Sequence, residues 1–444
     1  MNKKNKIFDI VIYSFVVATT LLYILQLDYR NTNIVVIITF LLIGIISFFS
    51  IISKGIDINI YNTVHIFVYV FFFIAPMQQY TEGIVLWQGN GLVLKYTDKD
   101  YFYANLMILI FLILFNISYK FSKFKRKENS AVKTIFYLEY LPIDKKVILT
   151  LISTLAFVII VVTGNLTERT TSISDNTNLN AQIINILRYF PVCSFIVYGI
   201  YYKKFSMMIK QKSFWIIFLQ IVLIFFPFWG HIPRYFLFGT YILILAVLFS
   251  NSQKNRTWYF LVLYIGFALF FSSLRYATSI EFDMEKFIDF SHADFDAYQM
   301  LMALMRYTDE YGIVYGKNIL SAFAFLIPRN IWPGKMLSSG AIVASHYGSW
   351  FENVSSPLVA ELYFAFGWFG IVIGAVFLGK LVRKMDSFQD SVSLWQRGLF
   401  CIFTGMTIYI MRGSLLATMA FSLGLVLSLI FMCFVSTVRF RRPV

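Results

Sequence analysis

Residues 34–53 read IVVIITFLLIGIISFFSIIS, an apolar run without one charged side chain, and Lys54 closes it. As a helix rising 1.5 Å per residue, such a run is about 30 Å long, the thickness of a bilayer's hydrocarbon core. Uncharged runs of similar character recur near 7–27, 60–79, 101–121, 147–163, 183–202, 214–230, 235–251, 257–273, 358–380, 398–414 and 416–437. The pattern predicts an all-α polytopic membrane protein with about twelve transmembrane helices in one membrane domain over 1–444. Of the 444 residues, 59% are apolar and only 14% charged, and mean hydropathy is +0.70. A soluble domain of this length needs more charge than that on its surface. Many Tyr and Trp stand at the edges of the runs, where interfacial belts form.

Three features fix compartment and topology. Cys193, Cys401 and Cys433 all lie inside apolar runs with no metal-ligand spacing, which argues against a disulfide framework or a metal site. The opening MNKKNK resembles a signal-peptide n-region, but no small-residue cleavage site follows, so the first run reads as a retained helix. Alternating the runs across a membrane places 25 of the 38 Lys and Arg on one side and 13 on the other. The Lys/Arg-rich side is the cytoplasmic one. That accounts for the net charge of +15 without nucleic acid and puts both termini in the cytoplasm.

The same alternation sends three long segments outward: roughly 80–100, 164–182 and 274–357. The last is far longer than a connector needs to be and reads as a large outer loop, periplasmic or extracellular. Within it, 291–310 has helical spacing, with Ser291 and Asp294 as a capping start. Phe295, Tyr298, Leu301, Met302 and Met305 form an apolar stripe, opposite His292, Asp296, Gln299, Arg306 and Glu310. A helix lying on the membrane surface produces the same pattern.

Further along, IPRNIWPGK at 327–335 sets Arg329, Trp332 and Lys335 on a turn stiffened by Pro328 and Pro333. A guanidinium and an ammonium on a rigid loop suit a diphosphate or a sugar carboxylate; the alternative is a turn whose charges meet lipid head groups. Arg188, Arg234 beside His231, Glu361 and Arg412 fall near the outer ends of their runs. Ionisable groups there face a cavity or a partner, or snorkel to the interface. His346 and His231 are candidate proton carriers, against the simpler reading of satisfied polar side chains.

IPRNIWPGK, followed by ENVSSPLVAELYFAFGWFG at 352–370, resembles the bacterial O-antigen and capsule repeat-unit polymerase family. The matching positions are Pro328, Arg329, Trp332, Pro333 and Lys335, then Ser356, Pro357, Glu361, Phe366, Gly367 and Gly370. The likeness covers roughly 290–375; elsewhere only the topology is similar, and Met336 stands where many members have proline. The resemblance implies a C-type glycosyltransferase fold. It also implies polymerisation of undecaprenyl-diphosphate-linked oligosaccharide repeats at the outer face of the inner membrane, with no metal or other cofactor.

On that reading Arg329 is catalytic, and Glu361 or His346 is the base. Arg188, Arg234, Arg412 and Lys335 meet the diphosphate, with Trp332, His231, Asp296 and Arg306 completing the binding surface. The implied partners are the lipid-linked oligosaccharide and the bilayer, with a chain-length regulator and a flippase as further candidates. An O-antigen ligase and a lipid-linked oligosaccharide flippase are the competing functions. A membrane acyltransferase is disfavoured because Asp98 and Asp100 have no histidine beside them.

Overall fold

The computed structural model describes residues 3–30, 32–55, 57–87, 95–122, 143–163, 183, 186–201, 214–225, 234–249, 290–291, 293–349, 351–352, 354–391 and 393–437. Among them there are helices and no strands. We number the principal ones α1 (Lys3–Gln26), α2 (Ile34–Lys54), α3 (Ile60–Thr81), α4 (Asp98–Phe121), α5 (Ile143–Val162), α6 (Phe190–Tyr201), α7 (Phe214–Phe225) and α8 (Arg234–Phe249). The loop region supplies α9 (Ala297–Tyr311), α10 (Lys317–Phe323) and α11 (Ser339–His346), and the chain closes with α12 (Leu358–Asp386), α13 (Leu394–Arg412) and α14 (Leu415–Thr437).

Six of the described helices are long and apolar enough to cross a membrane: Ile34–Lys54, Ile60–Thr81, Asp98–Phe121, Asp144–Val162, Leu358–Asp390 and Leu415–Thr437. Ile12–Gln26, Phe190–Tyr201 and Tyr235–Val247 are apolar but shorter. The chain is therefore an all-α, multi-pass membrane protein. The runs expected at 183–202 and 214–230 form shorter helices within the described residues, and the one at 257–273 lies outside them, as do 164–182 and 274–289.

Polar contacts sort the helix ends into two layers. At one end Tyr23 donates to Gln78 (2.8 Å), Gln79 to the Phe290 carbonyl (2.9 Å), and Ser356 N–H to the Arg412 carbonyl (3.1 Å). At the other end Asp386 accepts from Ile60 N–H (2.8 Å) and from the Tyr119 hydroxyl (2.9 Å), and Lys145 reaches the Val435 carbonyl (3.3 Å). We call the first the loop face, because α9, α10 and α11 sit on it, and the second the far face. α1 begins and α14 ends at the far face.

α3 runs through the middle of the bundle, fully buried. It widens to a π turn over Val70–Ile74, directly before Pro76. Proline has no N–H for the carbonyl four residues back, and the wider turn absorbs that break. α8 and α13 approach so closely that a Cβ on Gly239 would lie 2.9 Å from the Gly405 carbonyl. Small residues at such crossings let backbones meet in the membrane, and this crossing carries Arg412 to the loop face beside Tyr235.

The loop helix differs from its expected form. α9 starts at Ala297, after a 3₁₀ turn at Ala293–Phe295, so Ser291 and Asp294 do not cap it. Both stripes are largely enclosed: Tyr298, Leu301, Met302 and Met305 are buried, and so are Asp296 and Gln299. Gln299 donates to Gln79 (3.1 Å) and to the Ile84 carbonyl (2.8 Å), and accepts from Leu86 N–H (2.8 Å). A helix lying on a membrane surface would leave one face open. This one is part of the core.

Candidate functional site

The loop-side end of α13 carries Arg412 into a buried ion pair. Arg412 Nη2 stands 2.8 Å from Asp296 Oδ1. Nε donates to the Asp294 carbonyl (3.2 Å), Nη2 also faces the Ala293 carbonyl (3.4 Å), and the guanidinium lies 3.8 Å over the Tyr235 ring. The other oxygen of Asp296 accepts from Trp87 Nε1 and from Ser355 N–H, each at 3.3 Å. Arg412 Nη1 makes no hydrogen bond among the described residues, which leaves it as the donor available to a ligand. Arg188 is also buried, and the residue after it, not Arg188 itself, reaches this group through rings. That residue, Tyr189, contacts Phe236 at 5.6 Å, and Phe236 contacts Tyr409 at 5.9 Å. Arg234 begins α8, next to Tyr235; its side chain lies outside the described residues, as does His231.

Glu361 forms a second node, on the first turn of α12 and buried. One carboxylate oxygen accepts from Leu415 N–H (2.8 Å) and from the Ser339 hydroxyl; the other accepts from Asn318 (2.8 Å). Ser339 also contacts Ser356 at 2.8 Å. One carboxylate thus joins α10, α11, α12 and α14. Downstream, α12 breaks: Phe366 has φ −146° and Gly367 has φ +61°, a conformation that favours glycine. The carbonyls released by the break accept from Val314 N–H (3.0 Å, Phe364) and Gly316 N–H (3.1 Å, Ala365). The Ser-Pro, Glu and Phe-Gly positions therefore fasten the loop to the spans.

The proline-bracketed segment turns its cations inward. Trp332 and Ile331 N–H bond the Pro328 carbonyl at 3.1 Å each, which is the rigid turn expected. Arg329 places Nη1 2.6 Å from the Lys335 carbonyl and Nη2 2.9 Å from the Met336 carbonyl. Lys335 Nζ stands 3.0, 3.1 and 3.0 Å from the carbonyls of Ala324, Phe325 and Ile327, just past the end of α10. A lysine has three N–H donors, and each has a carbonyl here. Burial first, and then the Arg329 charge, hold this ammonium below the ordinary lysine range. Trp332 is half-buried against the same turn.

His346 is exposed at the end of α11, with Glu310 Oε2 3.9 Å from its Nε2 and the rings of Tyr307, Tyr311 and Tyr347 around it. Arg306 grips Asp100 with two bonds (3.1 and 2.6 Å), reaches the Lys95 carbonyl (2.6 Å) and covers the Tyr96 ring. The bond to Asp100 raises its pKa.

Of the expected site residues, Asp296 and Arg412 come together where α13 meets the start of α8; Arg188 is buried elsewhere in the bundle. Glu361 is linked to the Asp296–Arg412 pair through Ser356. Arg329, Trp332 and Lys335 form a separate loop structure, and Arg306 and His346 lie along α9. Asn318, Ser339 and Tyr235 did not stand out in the sequence and carry essential contacts; nothing local in their surroundings signals it. Among the described residues no group of three His, Cys, Asp or Glu is placed to hold a metal ion. The chain matches no protein-family model, and no curated protein or solved structure is similar to it.

Proposed function

We propose that this protein is a glycosyltransferase of the inner membrane. It joins undecaprenyl-diphosphate-linked oligosaccharide repeats at the outer face, using about twelve spans in a C-type arrangement with both termini in the cytoplasm. The observation that carries the proposal is the buried Arg412 at the loop face, held by Asp296. Arg412 keeps Nη1 for a ligand while Asp296 and two carbonyls fix the rest of its guanidinium. A lipid diphosphate presents its charge at the depth of helix ends, where prepositioned guanidinium donors stabilise a leaving phosphate. The likeness over 290–375 supplies the reaction class.

Within this reading Arg412 and Arg234 face the diphosphate. Arg329 and Lys335 shape the loop that closes over it. Of the two candidate bases, His346 is the one a sugar hydroxyl reaches, with Glu310 behind its ring; Glu361 is enclosed by its donors. The test is deletion of the gene, complemented by wild-type and Arg412→Lys chains. Deletion should leave single-repeat glycans on their acceptor, and wild-type should restore polymer. Unchanged long chains in the deletion strain would reject the proposal; complete loss of surface glycan would point to a ligase or flippase.

A further inference from the structure

α10 and the turn that follows it are built inside out. On α10, Asn318 and Ser321 face the protein: Asn318 bonds Glu361, and the Ser321 hydroxyl accepts from Met336 N–H (3.0 Å). Leu320 and Phe323, on the opposite side, are each 59% exposed. The turn repeats the inversion. Arg329 and Lys335 point inward onto backbone carbonyls, while Leu326, Ile327, Ile331 and Leu337 point outward, Ile331 with 72% of its surface open. No Asp or Glu occurs anywhere in 317–337. A loop meeting water turns its charges out and its large apolar side chains in. Apart from Lys317 at its start and Asn330 in the turn, which are exposed, this one does the reverse across two consecutive elements.

We infer that 317–337 is embedded in the leaflet at the loop face, with lipid acyl chains as the occupant of its apolar side. Continuity decides for lipid. α10 packs on α14 and α12. Gly316, which precedes α10, lies against the Phe366 ring. From there Phe366, Phe369, Ile373 and Phe377 continue the exposed apolar surface down α12, one of the helices long enough to cross a membrane. The exposed face of 317–337 is the upper end of that stripe. Buried inward-facing polar groups and outward apolar ones are what a low-dielectric surrounding selects, because no backbone carbonyl can be left there without a donor. Of the five carbonyls taken by Arg329 and Lys335, four have no backbone donor among the described residues; that of Ala324 also accepts from Ile327 N–H (3.0 Å). Trp332 then sits near head-group depth, where its ring is favoured. The inference does not depend on the proposed reaction.

The experiment uses full-length protein in phosphatidylethanolamine/phosphatidylglycerol liposomes, with single cysteines introduced as Leu320→Cys, Ile331→Cys and, as a reference, Glu310→Cys, each labelled with an environment-sensitive fluorophore. The three native cysteines are buried, so unsubstituted protein serves as the blank. Labels at 320 and 331 should emit to the blue of the label at 310, be quenched by lipids spin-labelled on the acyl chain, and be quenched several-fold less by iodide. All three positions are exposed side chains, so folding is preserved, and equal gel-filtration profiles verify it. Iodide quenching at 320 and 331 equal to that at 310 would overturn the inference. So would disulfide-linked dimers through Ile331→Cys at high yield, which would make a second copy the occupant.

Discussion

Two arginine–aspartate pairs hold α9 to the spans, and they are mirror images. At its start α9 offers the acid: Asp296 takes Arg412 from the end of α13. Nine residues into the helix, α9 offers the base: Arg306 takes Asp100 from the start of α4. The chemistry is the same and the surroundings are not. The Arg412 and Asp296 side chains are 15% and 1% exposed, those of Arg306 and Asp100 28% and 15%. The first pair uses one nitrogen, and its other contacts are two carbonyls on the arginine side and an indole and a backbone N–H on the aspartate side. The second is bidentate and stays partly exposed. Burial, more than hydrogen-bond count, sets the consequence of breaking each, because an abandoned charge costs most where no solvent replaces its partner.

The largest expected effect therefore belongs to Arg412→Ala. It strands the Asp296 carboxylate among Trp87 and Ser355 and should cost about 3–5 kcal/mol. Thermal unfolding in detergent checks this; a shift of melting temperature no larger than that of Arg306→Ala would break the asymmetry. Arg412→Lys restores charge but not the fork of contacts to Asp294 and Ala293, so it should recover only part of the loss.

Glu361→Gln comes next. The carboxylate accepts on both oxygens, whereas glutamine brings an NH₂ that must face a donor on one side, so the knot of α10, α11, α12 and α14 should weaken by about 1–3 kcal/mol. The check is protease cleavage in 317–349, which should accelerate without a change in the spans. Unaltered cleavage would mean that the loop is held by apolar contacts alone. Tyr298→Phe, between the two ion pairs, removes the bond to Asn105 (2.7 Å) but keeps the ring, and should cost about 1 kcal/mol. A loss equal to that of Arg412→Ala would show that α9 is anchored at its centre and not at its ends.

Six of the twelve expected spans were legible because hydropathy over twenty residues is a local signal, and 34–53 and 358–380 begin where expected. The loop's rigidity was legible too, since Pro328 announces its turn. What spacing misjudged was direction. Asp296 and Arg306 fall on one helical stripe and so read as one polar face. Their partners, Arg412 and Asp100, are 116 and 206 residues away, and no local pattern records that separation. Arg329 and Lys335 were visible as cations on a stiff loop, but their inward aim depends on which carbonyls α10 and its following turn leave without donors. That is a property of the folded backbone.

The smallest effect, and the sharpest test of the comparison, is the coupling between Arg306 and Asp100. Asp100 also accepts from Thr97 N–H and Oγ1 (2.6 Å each) at the start of α4, and Arg306 also holds the Lys95 carbonyl and the Tyr96 ring. Single substitutions thus mix several losses. The cycle Arg306→Gln, Asp100→Asn and the double variant removes them and leaves the pair alone. For a pair with water at its edge the coupling should be about 0.5–1 kcal/mol. It should shrink between low and high salt, as the Debye length falls from about 30 Å at 0.01 M to about 3 Å at 1 M. The matching cycle on Arg412 and Asp296 should give a larger coupling with little salt dependence, because mobile ions do not reach it. If the Arg306 pair proves as strong and as indifferent to salt, its end of α9 is sealed from solvent. The two anchors would then be equivalent, and the contrast in burial would not be what sets their strength.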